Sequence, residues 1–174
     1  RNGGNDWTHT MFRDAFMQSL CTHYMDLETM AYRPAQVYLN GEYWGILTIR
    51  EKINEHYIAA NRGVDPDRVD VLDRSGFSNN EIMAGSNTDY IELWQFIKQH
   101  DLSDDENYSI VASRIDIDNF IDYQIAQIFF ANTDWPATNI KYWRPRTETG
   151  KWRWLLYDTD YGFGRMDVQW SGSF

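Results

Sequence analysis

Cysteine is almost absent from these 174 residues: Cys21 stands alone, which excludes an internal disulfide and a zinc site built on cysteine thiolates. It falls in an apolar helical pattern and is expected to be a small core residue. Long apolar runs are missing too. No stretch approaches the roughly 18 residues of a membrane-spanning helix, and no signal peptide is visible. Basic residues are scarce, 16 Lys and Arg against 26 Asp and Glu, for a net charge of -10. Phosphate backbones are repelled by such a surface, so no nucleic-acid partner is expected. An acidic surface suits a chain that holds divalent cations, and it also serves plain solubility. Histidine occurs four times, at His9, His23, His56 and His100. None is paired with another one helical turn away, as in helix-borne metal sites, so surface or capping roles are expected. Ser75, Ser78 and Ser86 have no histidine near them in sequence, and nothing supports a Ser-His-Asp hydrolase.

What is present is an apolar fraction of 43%, enough to bury an interior, and a dense aromatic complement of 16% that includes eight Trp. The chain opens at Arg1 without a Met and stops at Ser173-Phe174; it is expected to be a piece of a longer protein.

Arg1-Asn2-Gly3-Gly4-Asn5-Asp6 reads as a turn, with Asp6 capping a helix that carries Met11, Phe12, Ala15, Phe16, Ser19 and Leu20 on one face and runs to about Met25. Ala35 to Leu39 alternates as a strand. Asn40-Gly41 then marks a tight hairpin, because both central residues of a type I′ turn need φ > 0, and Tyr43 to Ile49 returns. Glu51 to Ala60 reads as a helix closed by Gly63, and Val69 to Leu72 as a strand. Asp73 to Asn87 is polar and is expected to be a mobile loop or lobe boundary. Asp89 to His100 has the apolar face of an amphipathic helix, and Asp118 is expected to cap a second one bearing Phe120, Ile121, Ile125, Ile128 and Phe129. A short loop, Asn132 to Asn139, feeds a hairpin of Ile140–Arg144 and Trp152–Tyr157.

That hairpin carries the chemistry. With its turn centred near Thr149, Arg146 faces Trp152 and Ile140 faces Asp158, so Asn139, Asp158 and Asp160 collect at the open end, with Asp134 in the loop that feeds it. If the strand stays extended, Asp158 and Asp160 share one face. Two such carboxylates repel, and a divalent cation removes the penalty; Mg²⁺ is usually held by one or two carboxylates plus substrate phosphates. Asn139 offers a further amide oxygen, and Asp134 is placed to orient or deprotonate an attacking hydroxyl. Asp134-Trp135-Pro136-Ala137-Thr138-Asn139 has the Asp-x4-Asn spacing of a kinase catalytic loop, and Asp160-Tyr161-Gly162 follows a strand as the kinase Asp-Phe-Gly does. The plainer alternative has Asp134 capping a turn before Pro136 and the other two solvated at a strand end. Trp152 and Trp154 offer a stacking surface or, more simply, packing against the Asp118 helix.

These segments resemble the CotH family, described as atypical, secreted-type protein kinases. The resemblance rests on Arg1-Asn2-Gly3-Gly4-Asn5-Asp6 with Arg13-Asp14, on Val37 through Gly45, on Arg50-Glu51-Lys52-Ile53, on Asn119-Phe120-Ile121-Asp122, on Asn132 through Asn139 and on Tyr157 through Gly164. It implies an α+β, reduced kinase-like fold, with a helix-hairpin-helix part over residues 1–73 and a mostly helical part over 74–174. It also implies Mg²⁺- or Mn²⁺-dependent transfer of phosphate from ATP to Ser or Thr of a protein substrate, and an extracytoplasmic or cell-surface location in bacteria. Asp134 matches the catalytic Asp and Asn139 the metal-binding Asn; Asp160 or Asp158 matches the metal-binding Asp. Glu51, Arg13 and Arg1 are candidates for the nucleotide's phosphates or for pairing with a phosphate-binding residue, or else for surface charge. The chain departs from ordinary kinases in lacking a Gly-x-Gly-x-x-Gly loop and a Val-Ala-Ile-Lys motif. Two other functions compete: a non-catalytic kinase-like surface module that binds protein or glycan, and a glycoside hydrolase. The hydrolase fits least, because Asp158 and Asp160 are too close in sequence to flank a sugar ring.

Overall fold

A computed structural model of the chain describes residues 6–74 and 81–164; Arg1, Ser75 and Ser78 lie outside them. The fold is α+β. Among the described residues the order is α1 (Arg13–Cys21), β1 (Tyr32–Leu39), β2 (Glu42–Arg50), α2 (Glu55–Arg62), β3 (Val69–Arg74), β4 (Glu81–Ala84), α3 (Thr88–Gln99), α4 (Asp105–Arg114), α5 (Ile117–Phe129), β5 (Ile140–Pro145) and β6 (Arg153–Leu155).

The first hairpin forms where the Asn-Gly pair requires it: Asn40 and Gly41 have φ of 51° and 87°, and Leu39 pairs with Glu42. The second sheet is antiparallel with order β4-β3-β5-β6. Strand alternation sorts its side chains into two cores. Val69, Val71, Trp143 and Leu155 meet Ile53, Tyr57 and Ile58 around α2. Leu72, Tyr142, Trp152 and Trp154 meet Leu93, Val111, Tyr123 and Ala126 from α3, α4 and α5, and Phe130 just past the end of α5. Trp152 is fully buried, and Trp154 packs edge-on against Phe120 at 4.7 Å between centroids. The plainer reading of these tryptophans therefore holds: they are core, not a stacking surface. Cys21 is a buried, free thiol in the same core, and burial pushes it up to about 11. All four histidines are exposed.

Several boundaries differ from expectation for local reasons. Met11 takes a left-handed φ of 62°, which a helix cannot pass through, so α1 starts only at Arg13. Asn54 caps α2 by accepting from the Tyr57 amide at 2.9 Å, which delays that helix to Glu55, and Gly63 closes it at φ 67°. Residues 81–84 of the expected polar loop pair with β3. Asp116, not Asp118, caps α5, its carboxylate accepting from the Asn119 amide. Helix α4 was not foreseen; its signal is Asp104, which accepts from the amides of Glu106 and Asn107. Among the described residues no helix is long and apolar enough to cross a membrane.

Candidate functional site

The β5–β6 hairpin pairs two residues earlier than expected: Trp143 opposes Arg153 and Lys141 opposes Leu155. The turn closes on the Pro145 carbonyl: the Thr147 amide donates to it at 2.9 Å, and Gly150 sits so tightly on it that an added Cβ would meet its oxygen at 1.9 Å, while the Arg146 amide continues the β3–β5 ladder to the Arg68 carbonyl at 2.8 Å. The paired strand ends at Leu155, and Asp158 turns the chain with φ 54°. Asp158 and Asp160 therefore do not stand on one extended strand. They meet differently, as two walls of one cavity of about 510 Å³, a size typical of small-molecule sites.

The cavity is also lined by Asp14, Arg50, Glu51, Lys52, Lys141 and Tyr157, four carboxylates against three cations. Asp14 ties its floor together. The Asp14 carboxylate accepts from the Thr159 amide at 2.8 Å and the Thr159 hydroxyl at 3.0 Å, and it pairs with the Arg50 guanidinium at 2.5 Å. The residue between the two aspartates is thus held by α1, and the cavity is closed by the end of β2. Lys141 pairs with Asp73 and lies over the Tyr157 ring. Burial, reinforced by Asp73, keeps the Tyr157 phenol protonated, and its hydroxyl donates to Asp73. Glu51 accepts from the Ala31 amide at 2.8 Å. Arg13 donates to the Asp6 carboxylate and to the carbonyls of Gly162 and Phe163, holding the segment after Asp160.

Asp134 and Asn139 come together in the neighbouring loop. The Asn139 amide donates to the Asp134 carboxylate at 3.2 Å, and the Thr138 amide donates to the Asp134 carbonyl. Asn139 has φ 59°, a conformation Asn tolerates well. The loop's base is fixed by a buried relay in which Gln127 donates to Tyr123 and Asn132 donates to Gln127. One bond latches this loop to the Asp160 segment, the Thr133 hydroxyl to the Tyr161 carbonyl at 3.3 Å, and a second, the Phe163 amide to the Phe130 carbonyl at 2.6 Å, ties the same segment to the end of α5 just before the loop. Asp134 and Asn139 are not among the residues that line the cavity of Asp158 and Asp160.

Among the described residues no three His, Cys, Asp or Glu gather into a cation cage. The donor chemistry nevertheless fits a hard cation held jointly with a substrate: Asp158 and Asp160 supply two carboxylates in one cavity, and Mg²⁺ takes few protein ligands and draws the rest from phosphate and water. Asp14, Arg50 and Lys141 escaped the site reading of the sequence. Only their partners, 36 to 145 residues away, reveal them.

Gly162 owes its identity to space. A Cβ there would lie 2.8 Å from the thioether of buried Met17 and 2.9 Å from the Phe130 carbonyl oxygen. Gly162→Ala is expected to cost about 1–3 kcal/mol, seen as a lower urea midpoint. An unchanged midpoint would mean that the latch yields freely.

The family model described as CotH kinase protein matches residues 1–173. No curated protein matches the chain.

Proposed function

Since the chain belongs to the CotH family of kinase proteins, we propose that it transfers the γ-phosphate of ATP to Ser or Thr of a protein substrate, on a reduced kinase-like fold. The observation that carries this reading is the latch between two segments: the loop pairing Asp134 with Asn139 is bonded to the segment that follows Asp160. On this reading residues 1–73 form the smaller part and residues 74–174 the larger. Asp134 orients the attacking hydroxyl and takes its proton. Asp158, Asp160 and Asn139 supply the oxygens that would hold Mg²⁺ or Mn²⁺, and Glu51 stands in the cavity wall with the cations that face the phosphates. Arg13 acts at one remove, by fixing the Gly162–Phe163 carbonyls; Arg1 remains a candidate phosphate contact. Mg²⁺, when bound, offsets the charge that develops on the phosphate oxygens. The work would be done outside the cytoplasm or on a bacterial cell surface.

The charge balance gives a test. Four carboxylates against three cations repel a bare triphosphate, so ATP should bind only with the metal. Mg²⁺ and ATP together, at about 100 times Kd, are expected to stabilise the fold by about 2.7 kcal/mol, a rise of roughly 5–10 °C in Tm. ATP alone should do little. No rise with both, and no label passed from [γ-³²P]ATP to protein, would overturn the reading.

One observation favours a second reading, a non-catalytic module for protein or glycan. The β1–β2 hairpin exposes Leu39, Tyr38, Tyr43 and Trp44, the last at 65%, the amphipathic aromatics that binding surfaces favour. A glycan array that retains its ligand after Asp134 and Asp160 are changed, with no ATP effect in the unmutated chain, would select it.

A further inference from the structure

We propose that Arg50 grips the phosphate chain of the nucleotide and that Asp14 is the residue that positions it; the proposal rests on the phosphotransfer reading and names a contact within it. Arg50 ends β2 and lines the cavity shared by Asp158 and Asp160. One terminal nitrogen is spent on Asp14 at 2.5 Å. Its Nε and its other terminal nitrogen are buried and have no hydrogen-bond partner among the described residues, while the whole side chain is only 11% exposed. Buried guanidinium donors without an acceptor are costly, and folded proteins rarely leave them so without a ligand or ion to meet them.

The missing acceptor has a chemistry. A guanidinium presents two parallel N–H donors that match two oxygens of a phosphate, and such forked bonds are shorter and stronger than neutral ones. Of the two other cations in the lining, Lys141 is already paired with Asp73 and lies over the Tyr157 ring, and Lys52 offers a point charge without the fork. Asp14 gives the arrangement its direction. It holds Arg50 through one carboxylate oxygen and Thr159 through the other. The guanidinium is therefore fixed relative to Asp158 and Asp160 on either side of Thr159. A polyphosphate whose metal sits on those aspartates would bring its oxygens to Arg50.

The test titrates inorganic tripolyphosphate in excess MgCl₂ into the chain by calorimetry, with adenosine as a separate ligand. Arg50→Gln keeps a donor for Asp14 yet removes the charged fork. It should weaken tripolyphosphate about tenfold or more and leave adenosine within about twofold. Arg50→Lys should recover only part of the loss, because a point charge does not replace the fork. Asp14→Asn should weaken tripolyphosphate and shift the Arg50 Nε–H resonance before any ligand is added. If Arg50→Gln lowers Tm strongly, the ¹⁵N signal of Arg50 Nε in the unmutated chain decides: it should move on adding tripolyphosphate. Unaltered affinity in Arg50→Gln, or a motionless Nε signal at saturation, overturns the assignment and leaves phosphotransfer standing. An unmutated chain that binds neither tripolyphosphate nor ATP in MgCl₂ overturns both.

Discussion

Asp134→Asn is expected to slow phosphate transfer roughly 100- to 10,000-fold, the usual worth of a positioned general base, while Mg²⁺ with ATP still raises Tm as in the unmutated chain. The substitution is nearly isosteric. The Asn139 amide that donates to the Asp134 carboxylate would find a carbonyl oxygen in its place, so the loop should hold, and the half-buried position demands no new partner. Asp160→Asn separates a different step. Asp160 is 2% exposed in the cavity wall, and removing its charge takes away one of two carboxylates available to a divalent cation there. Its turnover should fall at least as far, and its Tm should no longer respond to Mg²⁺ with ATP. The pair of results assigns proton transfer to one aspartate and metal-dependent binding to the other. Transfer at the ordinary rate in both variants would remove the proposed chemistry. Loss of the Tm response in Asp134→Asn alone would exchange their roles.

The parts legible in the sequence were those decided within a few residues. Asn40-Gly41 specified its hairpin because few other pairs tolerate two left-handed residues. The Asp134–Asn139 spacing marked a short loop as a candidate site; the structure adds that the Asn139 amide donates to the Asp134 carboxylate across it. What escaped depends on distant partners. Asp14 looks like any acidic residue in the first turn of a helix; its importance appears only when Thr159 and Arg50 are brought to it. The register of the last hairpin slipped by two residues because its turn closes on the Pro145 carbonyl, which the Thr147 amide and Gly150 both approach, a close fit that the turn residues alone do not announce. The slip matters for the site: with the ladder ended at Leu155 and Asp158 left-handed, the two aspartates share a cavity through a turn instead of a strand face. β3 reads in sequence only as one more strand, yet it is an inner strand of the sheet, because it pairs with β4 just after it and with β5, which follows only at Ile140.

Glu28→Ala is expected to destabilise the fold by about 3–5 kcal/mol, since it strips a buried charge from its partner. In Tm this is a fall of roughly 6–20 °C for a chain of this length. The Glu28 side chain is 1% exposed and accepts from Arg153 at 2.9 Å and from Arg62 at 2.8 Å. Arg153 is itself buried and reaches Asp116, the cap of α5, as well as the carbonyl and carboxylate of Asp26. One network therefore joins α2, α5 and β6, the strand that leads into Asp158 and Asp160. Desolvation, not loss of attraction alone, sets the size of the effect, so replacing both charges together should cost less than replacing one. Glu28→Met with Arg153→Met should recover much of the loss, and a double variant as unstable as the sum of the single ones would refute the coupling. The same network sets an acid limit. Burial alone would raise the Asp26 carboxyl, but hydrogen bonds from Arg62 and Arg153 outweigh it and hold it below its ordinary value. A depressed carboxyl adds stability that is present above its unfolded pKa of about 3.9 and is lost as pH falls through the folded value. Unfolding in urea between pH 5 and pH 2 should show this fall in the unmutated chain and a shallower one in Arg153→Met. An equal slope in both would place the acid sensitivity elsewhere.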